Sequence, residues 1–203
     1  MTSIFVARGA TEAIPIWFVT AASYAELRER LDAEVRAFAD AAGFEPKPGR
    51  HLLLPGGNGL GGVLFGLEAA NEAKDLFRPG LLPQLLPDGV YRFANDPHDA
   101  RLAALAFALG SYRFTLYRKA ERRQVKLELA QSIDRDDLDR TVEAVTLARD
   151  LINTPANDMG PAELEAAARS LAARHDHMRQ SQGRRRATHV FLHVEHGGVG
   201  LDV

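Results

Sequence analysis

The sequence predicts an α/β layered domain, and three observations carry that expectation. Short apolar runs rich in β-formers alternate with segments of helical period. Gln124–Ala130 alternates Val125, Leu127 and Leu129 with charged Lys126 and Glu128, as a half-exposed strand does. The glycine-rich stretch Gly56–Gly62 separates two apolar runs. Strands interleaved with helices argue for helices packed on a sheet.

Residues 4–6 and 14–20 open the chain as strands. The second lies in the apolar run Ala13–Ala22, with Arg8 before it. That run resembles a signal segment, but Glu12 and Pro15 fit one poorly and a bilayer span needs about 20 residues. A buried strand is the better reading. Ser23-Tyr-Ala-Glu26 has the pattern of a capping box, in which serine and glutamate satisfy free amides of the first turn. Leu27, Leu31, Val35, Phe38 and Ala42 then recur at helical spacing, with Glu26/Arg30 and Asp32/Arg36 as exposed pairs. One amphipathic helix ending at Gly43 follows from this.

His51–Leu54 and Val63–Leu67 read as strands, and Val90–Ala94 as another. Asp96-Pro97 reads as a cap and first-turn proline for a nearly all-apolar, buried helix over Leu102–Leu109. Farther on, Leu138, Val142, Val145, Ala148 and Ile152 mark a long helix whose start carries Asp134, Asp136, Asp137 and Asp139. Those acids suit the positive end of the helix dipole. Thr154-Pro155 stops it, and Gly160-Pro161 starts a last helix running to about Arg174. With no strand to pack on, both helices read as a connector over 133–175, following a domain over 1–132. From 176 to 203 the composition breaks again, and this segment is expected to lack fixed structure.

Composition narrows the function classes. The chain has 203 residues, 46% hydrophobic and 26% charged, with net charge −2. That charge gives no global attraction to nucleic acid or acidic membranes. The absence of cysteine removes disulfides, thiolate metal sites and cysteine nucleophiles. A cytoplasmic protein is expected.

Each candidate chemistry has a plain structural counterpart. Gly57-Asn-Gly-Leu-Gly-Gly62 matches the dinucleotide pattern G-x-G-x-x-G, but a strand follows where a helix N-terminus is required. A hairpin loop is preferred. His189, His193, Glu195 and His196 have ligand-like types, and Arg184–Arg186 could touch phosphate. A histidine-rich, solvated basic tail explains both. Glu163/Glu165 and the aspartates at 134–139 sit on helix starts, which accounts for them. Ser111 has no base nearby in sequence to activate it. No catalytic, cofactor-binding or metal-binding residue is assigned.

Two longer stretches are more specific. Leu109-Gly-Ser-Tyr-Arg-Phe-Thr-Leu-Tyr117 and Ala148-Arg-Asp-Leu-Ile-Asn-Thr-Pro-Ala-Asn-Asp-Met-Gly-Pro161 resemble the leucyl aminopeptidase (cytosol aminopeptidase) family. The resemblance covers about residues 1–175 and is strongest from Ala148 to Gly160. It implies a macro-like N-terminal domain, a mixed sheet between helices, leading through linker helices into a catalytic domain that removes N-terminal residues from peptides. It also implies two divalent metals, zinc or manganese, and hexameric assembly. The family's ligands and catalytic groups lie in its second half. Its signature, asparagine-threonine-aspartate-alanine-glutamate-glycine-arginine, is absent here, since Asn153-Thr154 continues with Pro155. The chain is therefore expected to be a truncated N-terminal portion without an active site. A stand-alone macro-like ligand-binding module is one alternative, and an assembly or regulatory partner docking on a full-length aminopeptidase is another. Leu138, Val142, Val145, Leu151 and Ile152, left without a catalytic domain, are expected to be exposed and to favour self-association.

Overall fold

Alternation along the strands sorts their side chains onto two faces of one sheet. The computed structural model describes residues 3–9, 12–57, 59–117 and 123–181. The strands are β1 (Phe5–Val6), β2 (Ile14–Val19), β3 (His51–Gly56), β4 (Gly59–Gly66), β5 (Gly89–Phe93) and β6 (Val125–Glu128). They form one six-stranded sheet in the order β1-β6-β5-β2-β4-β3. Every pairing is parallel except the β3–β4 hairpin.

On the first face lie Phe5, Ile16, Phe18, Val63, Phe65, Tyr91 and Leu127, all buried. Helix α4 (Ala100–Gly110) covers them through Ala104, Leu105, Phe107 and Ala108, and the short α3 (Leu82–Leu85) and its flank add Leu82 and Leu86. On the second face Val19, Leu54 and Leu64 meet Phe44, with Tyr24, Leu27, Leu31 and Val35 packed around them. Those come from α1 (Tyr24–Arg30) and α2 (Ala33–Ala41) and their flanks. The segment 14–20 is thus a central strand, as a run of β-formers buried on both faces must be.

The single helix expected up to Gly43 is two. Leu31 (ψ 148°) and Asp32 (ψ 148°) are extended, which breaks the helical path between α1 and α2. Arg28 reaches across this break to the Asp40 carboxylate and Arg36 to Glu29. These pairs replace the expected Glu26/Arg30 and Asp32/Arg36 couples. Phe38, expected on the apolar stripe, is exposed, and Ala39 is buried in its stead.

The capping box does not form either. Ser23 already has helical dihedrals (φ −89°, ψ −15°), whereas a capping side chain works from an extended residue. Its Oγ instead accepts from the Thr20 amide at 3.0 Å. At α4 the cap is Asp99, not Asp96. Asp99 is extended and accepts from the Leu102 amide at 2.8 Å, while Pro97 is buried ahead of the helix.

Helix α5 (Arg135–Asn153) starts on Asp134, whose carboxylate accepts from the Asp137 amide. It belongs to the first of two compact units, Met1–Thr154; the second begins at Pro155. Far from lacking anything to pack on, α5 buries Leu138 completely and half-buries Val142, Val145 and Leu151. Ser3 donates to Asp139 (2.8 Å), and Arg101 of α4 pairs with Asp137. Of the five apolar residues expected to be exposed on this helix, Ile152 alone is, at 81%. In the second unit, α6 (Pro161–Ser181) runs past residue 176, so the composition break there does not coincide with the helix end. Glu163 accepts from the Gly160 amide at its start, and Glu165 pairs with Arg169.

Candidate functional site: a clamp at the end of the fifth helix

In an open parallel sheet the usual ligand crevice lies where the connections of neighbouring strands diverge. Here the chain leaves β2 through α1 and α2 towards the β3 edge and leaves β5 through α4 towards β6. The point of divergence is the β2–β5 junction. It is spanned by Asn95, whose side-chain oxygen accepts from the Phe18 amide and whose NH2 donates to the Phe18 carbonyl, both at 2.8 Å. The carboxamide thereby extends the strand pairing across the place where a ligand would enter.

The glycine-rich stretch is a hairpin, with Gly56 paired to Gly59. Its glycines serve packing. A Cβ on Gly62 would lie 2.3 Å from the Trp17 ring. The loop therefore presents no helix N-terminus to a phosphate. Asn58 lies outside the described residues, as do His189, His193, Glu195, His196 and Arg184–Arg186.

The remaining candidates are occupied in the framework. Ser111 donates its hydroxyl to the Ala108 carbonyl at 2.6 Å as α4 ends. The Asp137 carboxyl is lowered below its ordinary pKa, chiefly by its hydrogen bond from Arg101. Among the described residues no group of three or more His, Asp or Glu could hold a metal ion.

One buried charged cluster stands out. Glu68, just after β4, is 3% exposed and binds Arg78 with one carboxylate oxygen. Its other oxygen lies 3.6 Å from His98 Nε2, and neither of those two atoms has a hydrogen-bond partner. Burial opposes ionisation of Glu68, but its own backbone amide and the Arg78 guanidinium outweigh that, and its pKa is lowered. The cluster ties the segment after β4 to the Arg78–Leu81 turn and to the entry of α4.

The two stretches that carried the family resemblance meet. Tyr112 donates its hydroxyl to Asp150 Oδ1 at 2.7 Å and accepts from Asn153 Nδ2 at 3.1 Å. The Arg149 guanidinium sits 5.3 Å over the Tyr112 ring and donates to the Leu109 carbonyl at 2.9 Å. Thr154 closes the helix by bonding the Asp150 carbonyl with hydroxyl and amide. Burial, then the bond to Asp150, raises the Tyr112 pKa. These residues form a clamp that sets where α5 ends, just before Pro155. Sequence reasoning found both stretches but not their contact, because 38 residues separate Tyr112 from Asp150. Tyr112→Phe should cost about 1–2 kcal/mol, the loss of one hydroxyl that satisfies Asp150 and Asn153. Urea unfolding of Y112F, D150A and the double variant should show coupling of at least about 0.5 kcal/mol; simple additivity would contradict a shared network.

Beside the clamp, between the Arg78–Leu81 turn and α4, runs an open groove of about 480 Å3. Its lining includes Asp75, Phe77, Leu81, Leu109 and Arg149.

Comparison with known proteins matches this architecture. A family model described as the N-terminal domain of M17 aminopeptidases covers residues 14–130, from the first residue of β2 to just past β6. The chain belongs to the M17 aminopeptidase family. A probable cytosol aminopeptidase from Geobacter sp. (strain M21) is 33% identical over 92 residues, covering 39% of this chain and 18% of that protein. The crystal structure of the Coxiella burnetii cytosol aminopeptidase superposes with a TM-score of 0.75 at 32% identity, covering 84% of this chain and 38% of that one. A tomato leucine aminopeptidase mutant (TM-score 0.59, 18% identity, 84% and 41% coverage) shares the fold. So does the bottromycin maturation enzyme BotP in complex with Mn, at TM-score 0.59, 20% identity, and 80% and 36% coverage. The chain thus spans less than half the length of each of these proteins.

Proposed function

We propose that this chain serves as the accessory, non-catalytic portion of an M17 aminopeptidase, a metal-dependent enzyme that removes N-terminal amino acids from peptides. The observation that carries this reading is the clamp. The stretches that most resemble the family are bonded to one another and hold the end of α5, so their specificity reflects architecture rather than chemistry. Asp134 caps α5 and Asp137 and Asp139 pair with arginines, and the described residues gather no group of three or more acids or histidines of the kind that two-metal activation of water needs. The relatives' description as cytosol aminopeptidases supports a cytoplasmic setting. No helix among the described residues is long and apolar enough to cross a membrane.

Purified chain incubated with an aminoacyl chromogenic substrate and manganese or zinc should show no turnover above buffer. Turnover abolished by a chelator and restored by metal would overturn the proposal. A stand-alone module for a nucleotide-like ligand has less support, since Asn95 spans the β2–β5 junction where such a ligand would sit. Docking on a full-length relative would show as co-purification with it.

A further inference from the structure

The open groove beside the clamp has a volume of about 480 Å3, within the roughly 300–1,000 Å3 that small ligands occupy. Phe77 and Leu81 from the turn and Leu109 from α4 give it apolar walls, and the first two are 49% and 44% exposed. Large apolar side chains facing one cavity are the usual lining of a binding site. Two charged groups line the same groove. The half-buried Arg149 is held in place by the Leu109 carbonyl, to which Nη1 donates, and by the Tyr112 ring under its guanidinium. It has no carboxylate partner among the described residues. A guanidinium fixed in this way presents a fork of N–H donors suited to a carboxylate. Asp75 is exposed, and its Oδ1 accepts from the Phe77 amide at 3.0 Å. Its Oδ2 lies 3.7 Å from Arg78, whose guanidinium already bonds the buried Glu68. That separation is too long for a hydrogen bond, so Oδ2 can take a further donor.

These charges select the ligand. An apolar anion would match Arg149 and meet Asp75 with like charge, and an apolar cation would do the reverse. A molecule that carries an ammonium and a carboxylate beside an apolar side chain satisfies all the walls together. We propose that this groove binds a small apolar zwitterion, namely an aliphatic or aromatic amino acid or a short peptide of such residues. Its carboxylate lies on Arg149, its ammonium on Asp75 and its side chain against Phe77, Leu81 and Leu109. The assignment rests on the groove's own residues and is independent of the accessory role.

Heteronuclear NMR titration of the isotope-labelled full chain with L-leucine and with leucyl-leucine tests this. Saturable shifts should centre on residues 77–81 and on Arg149, with a dissociation constant on the order of 1 mM for the tighter probe. Which probe is tighter identifies the free amino acid or the peptide as the source. Removing that probe's carboxylate, as its amide, or its ammonium, as its N-acetyl derivative, should each weaken binding about tenfold. Asp75→Asn keeps an acceptor for the Phe77 amide. It should weaken the parent probe by a similar factor and leave the N-acetyl derivative unchanged. Phe77→Ala, at an exposed position, should weaken both, with unchanged far-UV circular dichroism. Arg149 also belongs to the clamp, so its part is read from the amide and not from a variant. No saturable shift from either probe at about ten times that concentration would overturn the proposal. Shifts centred elsewhere, or binding that D75N and F77A leave unaltered, would overturn it as well. Amide and N-acetyl derivatives that bind as tightly as the parent would do the same, because the charges would then select nothing.

Discussion

Replacing Glu68 by alanine should lower the free energy of unfolding by about 3 kcal/mol, the low end for removing one partner of a buried ion pair. The low end applies because the side chain of Arg78 is 27% exposed and regains some hydration, whereas that of Glu68 is 5% exposed. Glu68→Gln keeps the shape and one acceptor for Arg78, so it should cost less than Glu68→Ala. The pH dependence has a definite sign. The folded-state pKa of Glu68 lies below its ordinary value of 4.5. Its contribution is present above that ordinary value and is lost as pH falls through the folded pKa. The gap in stability between wild type and E68Q should therefore be largest near neutrality and shrink on acidification below about pH 4.5. Urea denaturation at several pH values measures this. A gap that is constant or widens in acid would show that the Glu68–Arg78 contact contributes nothing through its charge.

Gly110→Ala should also destabilise, although alanine is the better helix former by about 1 kcal/mol. A Cβ at Gly110 would lie 1.9 Å from the Gly80 carbonyl oxygen and 2.8 Å from its carbon. Both are backbone atoms, which cannot rotate aside as a side chain could. The Arg78–Leu81 turn would have to move off α4, and such overpacking costs about 1–3 kcal/mol, occasionally more. The propensity gain offsets only part of this, so a net loss of about 2 kcal/mol is expected. Hydrogen exchange should rise in the Arg78–Leu81 turn, which also forms one wall of the groove. An unchanged midpoint with unchanged exchange would mean that the close approach is easily relieved.

The elements whose form follows from local chain geometry were legible in the sequence. Residues at i, i+2 and i+4 share a strand face whatever lies beyond, so the alternation at Val125, Leu127 and Leu129 announced β6 and its buried side. The stripe of α5 and the acids at its start were readable for the same reason, as was the hairpin at Gly57–Gly62, whereas the choice of Asp134 as the cap was not. The stretch from Ala148 to Gly160 pointed to the family that the comparisons then showed. Tertiary structure decided the rest. Whether Ser23 caps a helix depends on its own dihedrals, and whether Asp96 or Asp99 caps α4 depends on where Pro97 is buried. What α5 packs on depends on α4 and Ser3. Glu68 meets Arg78 and His98, and Tyr112 meets Asp150, only after the sheet has formed. A periodic pattern records which face of an element is apolar, but the partner of a polar group is set by distances across the fold, which no local spacing encodes.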